Sequence, residues 1–189
     1  MGLVEVERLQ QEYDIEVKFS PFFLDPSTPP EGKPRRQQTR PGDGPTPIEE
    51  RAAGLGISFA RGRTWTSNSH RALEAAEFVA EEQPELELPF HRAMFKAYFE
   101  DLADITQIDT IVQAGAAAGV DEAKLRTSLT EGWYREAVDE EINWAYKAGV
   151  QAVPTFVIDG RFAVVGAQDL DVFRSVLQRL GKVPRTESA

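Results

Sequence analysis

The stretch GVQAVPTFVIDGRFAVVGA, residues 149–167, decides how the rest of the chain is read. Thr155, Phe156, Val157 and Ile158 form a β-branched and aromatic run, Asp159-Gly160 is a two-residue turn signal, and Arg161 to Val165 read as the returning strand. Pro154 stands at the mouth of the first strand. It has no N–H to give to a ladder and pushes Val153 toward an extended backbone, so the Val153 amide and carbonyl are left to face outward. Read alone, this is a strand-opening trans proline, because only about 5–6% of X-Pro bonds in folded proteins are cis. The hairpin by itself specifies no function.

Composition narrows the class around it. The 189 residues are 41% hydrophobic and 28% charged, enough to bury a core in one compact domain with room for a subdomain. A formal net charge of -10 argues against nucleic acid or an anionic membrane as partner, since both need cationic surface to release counterions. No apolar run approaches a membrane span, and MGLVEVERLQ at the N-terminus is acidic and amphipathic, unlike a signal peptide, so a cytoplasmic location is the expectation. The absence of cysteine removes disulfides, thiolate catalysis and cysteine metal sites from these residues. The two histidines, His70 and His91, lie far apart and without ligand spacing, so no metal site is expected.

Working toward the N-terminus, Leu3, Val6, Leu9 and Tyr13 recur at helical spacing, and Ile15 to Ser20 alternate as a strand. Residues 21–47 are rich in proline and basic side chains and predict a long, partly mobile connection. Its Lys33, Arg35, Arg36 and Arg40 form the one basic cluster; a solvated loop is the expectation over an anion site, because no helix N-terminus or glycine nest accompanies them.

From Ile48 to Gly149 the period is helical. Ser67 or Asn68 is set to cap a helix with Ala72, Leu73, Ala76 and Val79 inward, and Phe90, Met94, Phe95, Tyr98, Phe99 and Leu102 form an aromatic stripe that reads as core. Ile105, Ile108, Ile111 and Val112 open a third helix ending near Gly119. Asp121 caps a fourth with Leu125 and Leu129, Gly132 stops it, and Val138, Ile142 and Ala145 mark a fifth ending at Gly149. Asp139-Glu140-Glu141 point different ways on a helix and read as a solvated face, not as paired carboxylates. Beyond the hairpin, Leu170, Phe173, Leu177 and Leu180 lay an apolar face on a last helix, and GKVPRTESA reads as a frayed tail.

The order is helix, strand, a block of helices, two hairpin strands, helix, and it resembles a thioredoxin fold carrying an all-helical insertion. This is the α/β plan of the DsbA family, with the first strand missing. EVKFSPFFLDPSTPPEG resembles the second strand and following loop of the FrnE-like branch, SNSHRALEAAEF the opening of its insertion, and GVQAVPTFVIDGRFAVVGAQ its cis-proline hairpin. The resemblance implies a cis Val153-Pro154 bond. It sets residues 1–47 and 150–183 as the thioredoxin-like part, 48–149 as the helical insertion and 184–189 as a flexible tail.

The same resemblance implies thiol–disulfide exchange, with protein or peptide thiols and disulfides as substrates, by a Cys-x-x-Cys motif at the N-terminus of the first helix. Such proteins carry an aromatic residue and a glycine shortly after the motif, a place Met1-Gly2 can occupy, so the natural protein is expected to continue upstream through that motif. Without it, the edges of Ile15–Ser20 and Thr155–Ile158 would face a gap of unpaired backbone groups, each costing about 1–3 kcal/mol if buried. No catalytic residue is then expected within the chain, and Val153 and Pro154 are expected to form a substrate clamp by strand addition. Two alternatives stay open: a redox-inactive peptide- or protein-binding module, and a relative of the kappa-type glutathione transferases and hydroxychromene carboxylate isomerases with glutathione as cofactor. A homodimer also stays open.

Overall fold

The computed structural model describes residues 1–37, 39–40 and 42–185. In chain order the elements are α1 (Gly2–Glu12), β1 (Lys33–Pro34), α2 (Pro47–Gly54), β2 (Trp65–Thr66), α3 (His70–Glu82), α4 (Glu87–Phe99), α5 (Ile108–Ala117), α6 (Glu122–Glu131), α7 (Arg135–Lys147), β3 (Thr155–Ile158), β4 (Phe162–Val165) and α8 (Leu170–Arg179). They fall into two compact units, one of Met1–Ser20 with the chain from Tyr146 onward, the other of Pro21–Ala145. Residues 21–47, read from sequence with the thioredoxin-like part, therefore group with the helices. Local bonds within that unit explain why: Lys33 and Pro34 pair antiparallel with Thr66 and Trp65, and Asn68 Nδ2 donates to the Thr28 carbonyl at 2.8 Å.

In the first unit, β3 and β4 pair antiparallel with Thr155 opposite Val165 and Ile158 opposite Phe162. The period of two turns Phe156, Ile158 and Val164 toward one face, where they meet Leu9 and Tyr13 of the α1 end and Phe173 and Leu177 of α8. Phe156 and Phe173 meet edge to face, with centroids 4.8 Å apart. Arg174 closes the back of this cluster with a two-pronged contact to Glu12, Nε to Oε2 at 2.8 Å and Nη2 to Oε1 at 2.5 Å, which lowers the Glu12 carboxyl below its ordinary range.

Three sequence expectations are corrected here. Arg161 belongs to the turn, not the return strand: Asp159 and Gly160 both take positive φ, and the Arg161 amide donates to Ile158 at 3.1 Å. Ile15, Val17 and Phe19 are half-buried and alternate with exposed neighbours, yet residues 14–20 join no ladder among the described residues. Alternation makes an amphipathic extended segment, but a strand also needs a neighbouring backbone. The tail is tied as far as it is described, because the Arg185 amide donates to the Glu12 carbonyl at 2.6 Å and its side chain meets Asp14; residues 186–189 of that expectation lie outside the described residues.

The helical unit packs Phe78, Val79, Phe90, Ile111, Val112, Leu125 and Leu129 into one core. Its ends carry the caps read from the sequence. Asp121 accepts from the Lys124 amide at 3.0 Å and Gly132 closes α6 at φ 68°, while Thr46 and Glu49 add a capping box to α2. The start of α3 differs: Asn68 Oδ1 accepts from the His70 amide, whereas Ser67 donates to Asp104. The inner face of α3 is also rotated, with Glu74, Ala75, Phe78 and Val79 buried. On α4 the aromatic stripe splits. Phe90 and Met94 are core, but Phe95 and Phe99 remain 50% and 39% exposed, with Phe99 meeting Phe59 edge to face.

The closest approach in this core is at Gly115, where an added Cβ would lie 2.7 Å from Cδ2 of the fully buried Leu125. Gly115→Val is expected to cost about 1–3 kcal/mol through overpacking, since a β-branched residue brings little helix propensity in return. Denaturant unfolding followed by circular dichroism measures it.

Candidate functional site

The candidate site is built by the segment that leads into β3. Gly149, at φ 81°, ends the run of α7, and the chain passes through Ala152 and Val153 into Pro154 with the Val153-Pro154 peptide cis. Two hydrogen bonds fix this passage: Thr155 Oγ1 donates to the Ala152 carbonyl at 2.7 Å, and the Gly166 amide donates to the Pro154 carbonyl at 2.8 Å. Pro154 is thereby the residue facing Gly166, one step beyond the Thr155–Val165 pair.

That pairing sets the direction of every backbone group along β3. In an antiparallel ladder the bonding groups alternate, so Pro154, Phe156 and Ile158 direct theirs at β4. Thr155 and Val157 direct theirs at the opposite edge, where no third strand lies among the described residues. Val157 is 61% exposed and Val153, just before the cis bond, 48% exposed, so apolar side chains flank backbone donors and acceptors along this edge.

The N-terminus of α1 stands directly against Pro154. A Cβ built on Gly2 would lie 3.0 Å from Pro154 Cγ and 3.2 Å from Phe156 Cζ, so the absence of a side chain at Gly2 is what lets helix and hairpin approach. The Met1 carbonyl receives the Val4 and Glu5 amides at 3.0 and 3.3 Å, and no side chain caps the helix. The positive end of a helix dipole therefore lies beside the hairpin, a setting that favours an anion such as a thiolate. One turn along, Glu5 is buried, with Arg8 3.8 Å from its Oε2.

Sequence reasoning named Val153 and Pro154 and placed Met1-Gly2 just after the expected motif, but did not name Glu5. The signal for Glu5 was present: it shares one helical stripe with Gly2, Val6 and Leu9, and a carboxylate on that stripe departs from an apolar face.

The other features singled out in the sequence are not gathered here. Lys33 of the basic cluster is taken by Asp25 at 2.6 Å and Ser27 at 2.9 Å, holding the Asp25 carboxyl far below its ordinary range. The Arg40 amide donates to Asp43 and its carbonyl accepts from Arg61. Asp139 pairs with His70 instead of lying on a purely solvated face. Among the described residues, no group of three His, Asp or Glu side chains is placed to hold a metal ion, and no helix is long and apolar enough to cross a membrane.

Comparison with known proteins places this geometry. A family model, the DSBA-like thioredoxin domain, matches residues 1–178. The uncharacterized protein YwbO of Bacillus subtilis is 27% identical over 182 residues, covering 94% of this chain and 88% of its own length. A crystal structure of a probable DsbA oxidoreductase from Streptomyces coelicolor superposes with a TM-score of 0.80 at 20% identity, over 95% of this chain and 83% of that one. A putative protein disulfide isomerase from Nitrosomonas europaea gives 0.70 at 16% identity, over 94% and 89%. At these identities the two structures speak for the fold alone.

Proposed function

This chain belongs to the DSBA-like thioredoxin domain family, and from that membership we propose that the Pro154 hairpin is the substrate clamp of a FrnE-like thiol–disulfide oxidoreductase or isomerase of the cytoplasm. The observation that carries the reading is the seating of Gly2, at the positive end of α1, against Pro154, with Val153 exposed beside the edge of β3 that has no partner strand among the described residues. An extended segment of a protein or peptide adds to that edge through the amide and carbonyl of Val153, and its disulfide or thiol is brought to the end of α1. A thiolate formed there is favoured by the helix dipole, which is the condition for attack on a disulfide sulfur.

These 189 residues contain no cysteine, so they bind and orient but supply no sulfur. Exchange therefore needs a dithiol from outside them. The zero cysteine count also favours a second reading, in which the same edge serves binding without exchange. Glutathione is the ligand expected under the kappa-type alternative, and no residue in the described site is singled out for it.

Two assays separate these readings. The chain is expected to bind a labelled, cysteine-free extended peptide and to leave insulin and scrambled ribonuclease unchanged. Gly2→Val is expected to weaken peptide binding by about fivefold or more, the low end of what overpacking against Pro154 costs. A Gly2→Val variant that binds as well as the parent contradicts the clamp. Heat on titration with glutathione, with no peptide binding, moves the reading to the glutathione-dependent relatives.

A further inference from the structure

Within the helical unit, one histidine has both ring nitrogens taken by carboxylates on different helices. His70 opens α3. Its Nδ1 lies 2.9 Å from Glu74 Oε1 on the same helix, and its Nε2 lies 2.9 Å from Asp139 Oδ1 on α7. The ring is positioned from its own backbone, because the His70 amide donates to Asn68 Oδ1 at 2.9 Å, and Phe23 meets its edge at a centroid distance of 6.3 Å. Among the described residues, the charged groups facing it are Glu74 of α3 and Asp139 of α7, with Arg135 of α7 reaching the same Glu74 Oε1 at 3.8 Å; the segment before β1 contributes the uncharged Phe23.

A neutral imidazole has one donor and one acceptor nitrogen, so it can satisfy only one of two carboxylates and sets a lone pair against the other. The imidazolium donates to both. The two carboxylates are not equivalent. The Glu74 side chain is 3% exposed and its Oε2 has no hydrogen-bond partner, whereas the Asp139 side chain is 57% exposed. Losing the proton opposite Glu74 would strand a buried charge, while Asp139 can turn to water.

We propose that His70 is a pH-operated latch between α3 and α7: protonated, it ties Glu74 to Asp139, and on losing its proton it keeps Glu74 and releases Asp139. The hydrogen bond to Glu74, and then that to Asp139, hold the ring's proton above the ordinary imidazole value, against the opposing effect of burial. A proton affinity raised in the folded state gives a contribution fully present below the ordinary histidine value and lost as pH rises through the folded one. The latch is therefore closed in mildly acidic solution and opens on the alkaline side.

The test is a nitrogen-15 NMR titration of the ring together with amide exchange along α7, corrected for intrinsic exchange rates. His70 is expected to show both nitrogens protonated at low pH and to titrate above the ordinary value. Protection of amides around Val138 to Ile142 is expected to fall about three- to tenfold across the same midpoint, the loss of one charge-assisted hydrogen bond partly exposed to water. Asp139→Asn lies at an exposed position, leaves the Glu74 contact in place, and is expected to abolish the step. A ring that titrates at or below the ordinary value, protection in α7 that ignores pH, or a step that survives in Asp139→Asn overturns the proposal.

Discussion

Phe173→Ala is expected to be the most damaging substitution in the unit that carries the hairpin, lowering stability by about 3–5 kcal/mol. Phe173 is 1% exposed, sits edge-on against Phe156 of β3 and shares a core with Leu9, Tyr13 and Val164. Removing its ring takes away the apolar burial of α8 and leaves a cavity under the strand that positions Pro154. Against a whole-domain stability of roughly 5–15 kcal/mol, that loss is enough to leave the hairpin unfolded part of the time. Val172→Ala on the same helix, at a residue 41% exposed, is the control and should change stability by less than about 0.5 kcal/mol. Guanidinium unfolding of both variants decides it; equal midpoints would mean that the ring is not part of a packed core.

The second large effect is acid destabilisation through His91. Its ring stacks on Phe95 of α4 with centroids 6.4 Å apart and tilts against Phe90, and burial pushes its pKa down to about 4. The unfolded chain binds that proton at about 6.5, so the folded state gives up stability as pH falls between 6.5 and 4. The full difference is about 3 kcal/mol, from roughly 1.36 kcal/mol per unit. The gain from protonating His70 is already complete below the ordinary histidine value, and the loss from Glu49, held at about 2 by Arg61, begins only near pH 4.5, where the unfolded carboxyl takes up its proton. Glu87, raised first by burial and then by the Glu77 charge, acts in the opposite sense and trims the loss. The expected outcome is a midpoint that drops from pH 6.5 toward 4 in the parent and much less in His91→Phe. A drop of the same size in both would assign it to other groups.

How much of this was legible in the sequence follows from the range of the interactions. The Asp159-Gly160 turn, Asp121 and Gly132 act through their own backbone neighbours, and the structure places each where its residue type puts it; Pro154 opens the strand as read, but with the cis bond that the resemblance implied, not the trans bond that its residue type favours. Ile15 to Ser20 shows where such reading ends, because alternation reports which side chains are half-buried but cannot report whether another backbone lies alongside. On α3, the inner face was read as Ala72, Leu73, Ala76 and Val79, yet the helix is turned to bury Glu74, whose charge His70 and Arg135 meet. Phe95 and Phe99 erred the other way: aromatic stripes signal core only when a neighbour arrives to cover them. At the hairpin, the strand-opening place of Pro154 was legible from proline's missing donor, while its role with Val153 as a clamp came from the resemblance and the seating of Gly2 depends on a contact between distant parts of the chain. The resemblance to the DsbA family supplied that long-range information before any contact was known.

The proposed clamp requires that Val153, Pro154 and Gly2 form one receptive edge, and a nitrogen-15 amide titration of the chain with a cysteine-free extended peptide tests this most directly. The predicted result is saturable shifts at Gly2, Val153 and Thr155, with Phe162, Val164 and Gly166 moving less because their groups are already paired across the hairpin. A peptide that binds while those amides stay still, with shifts elsewhere in the chain, would contradict it.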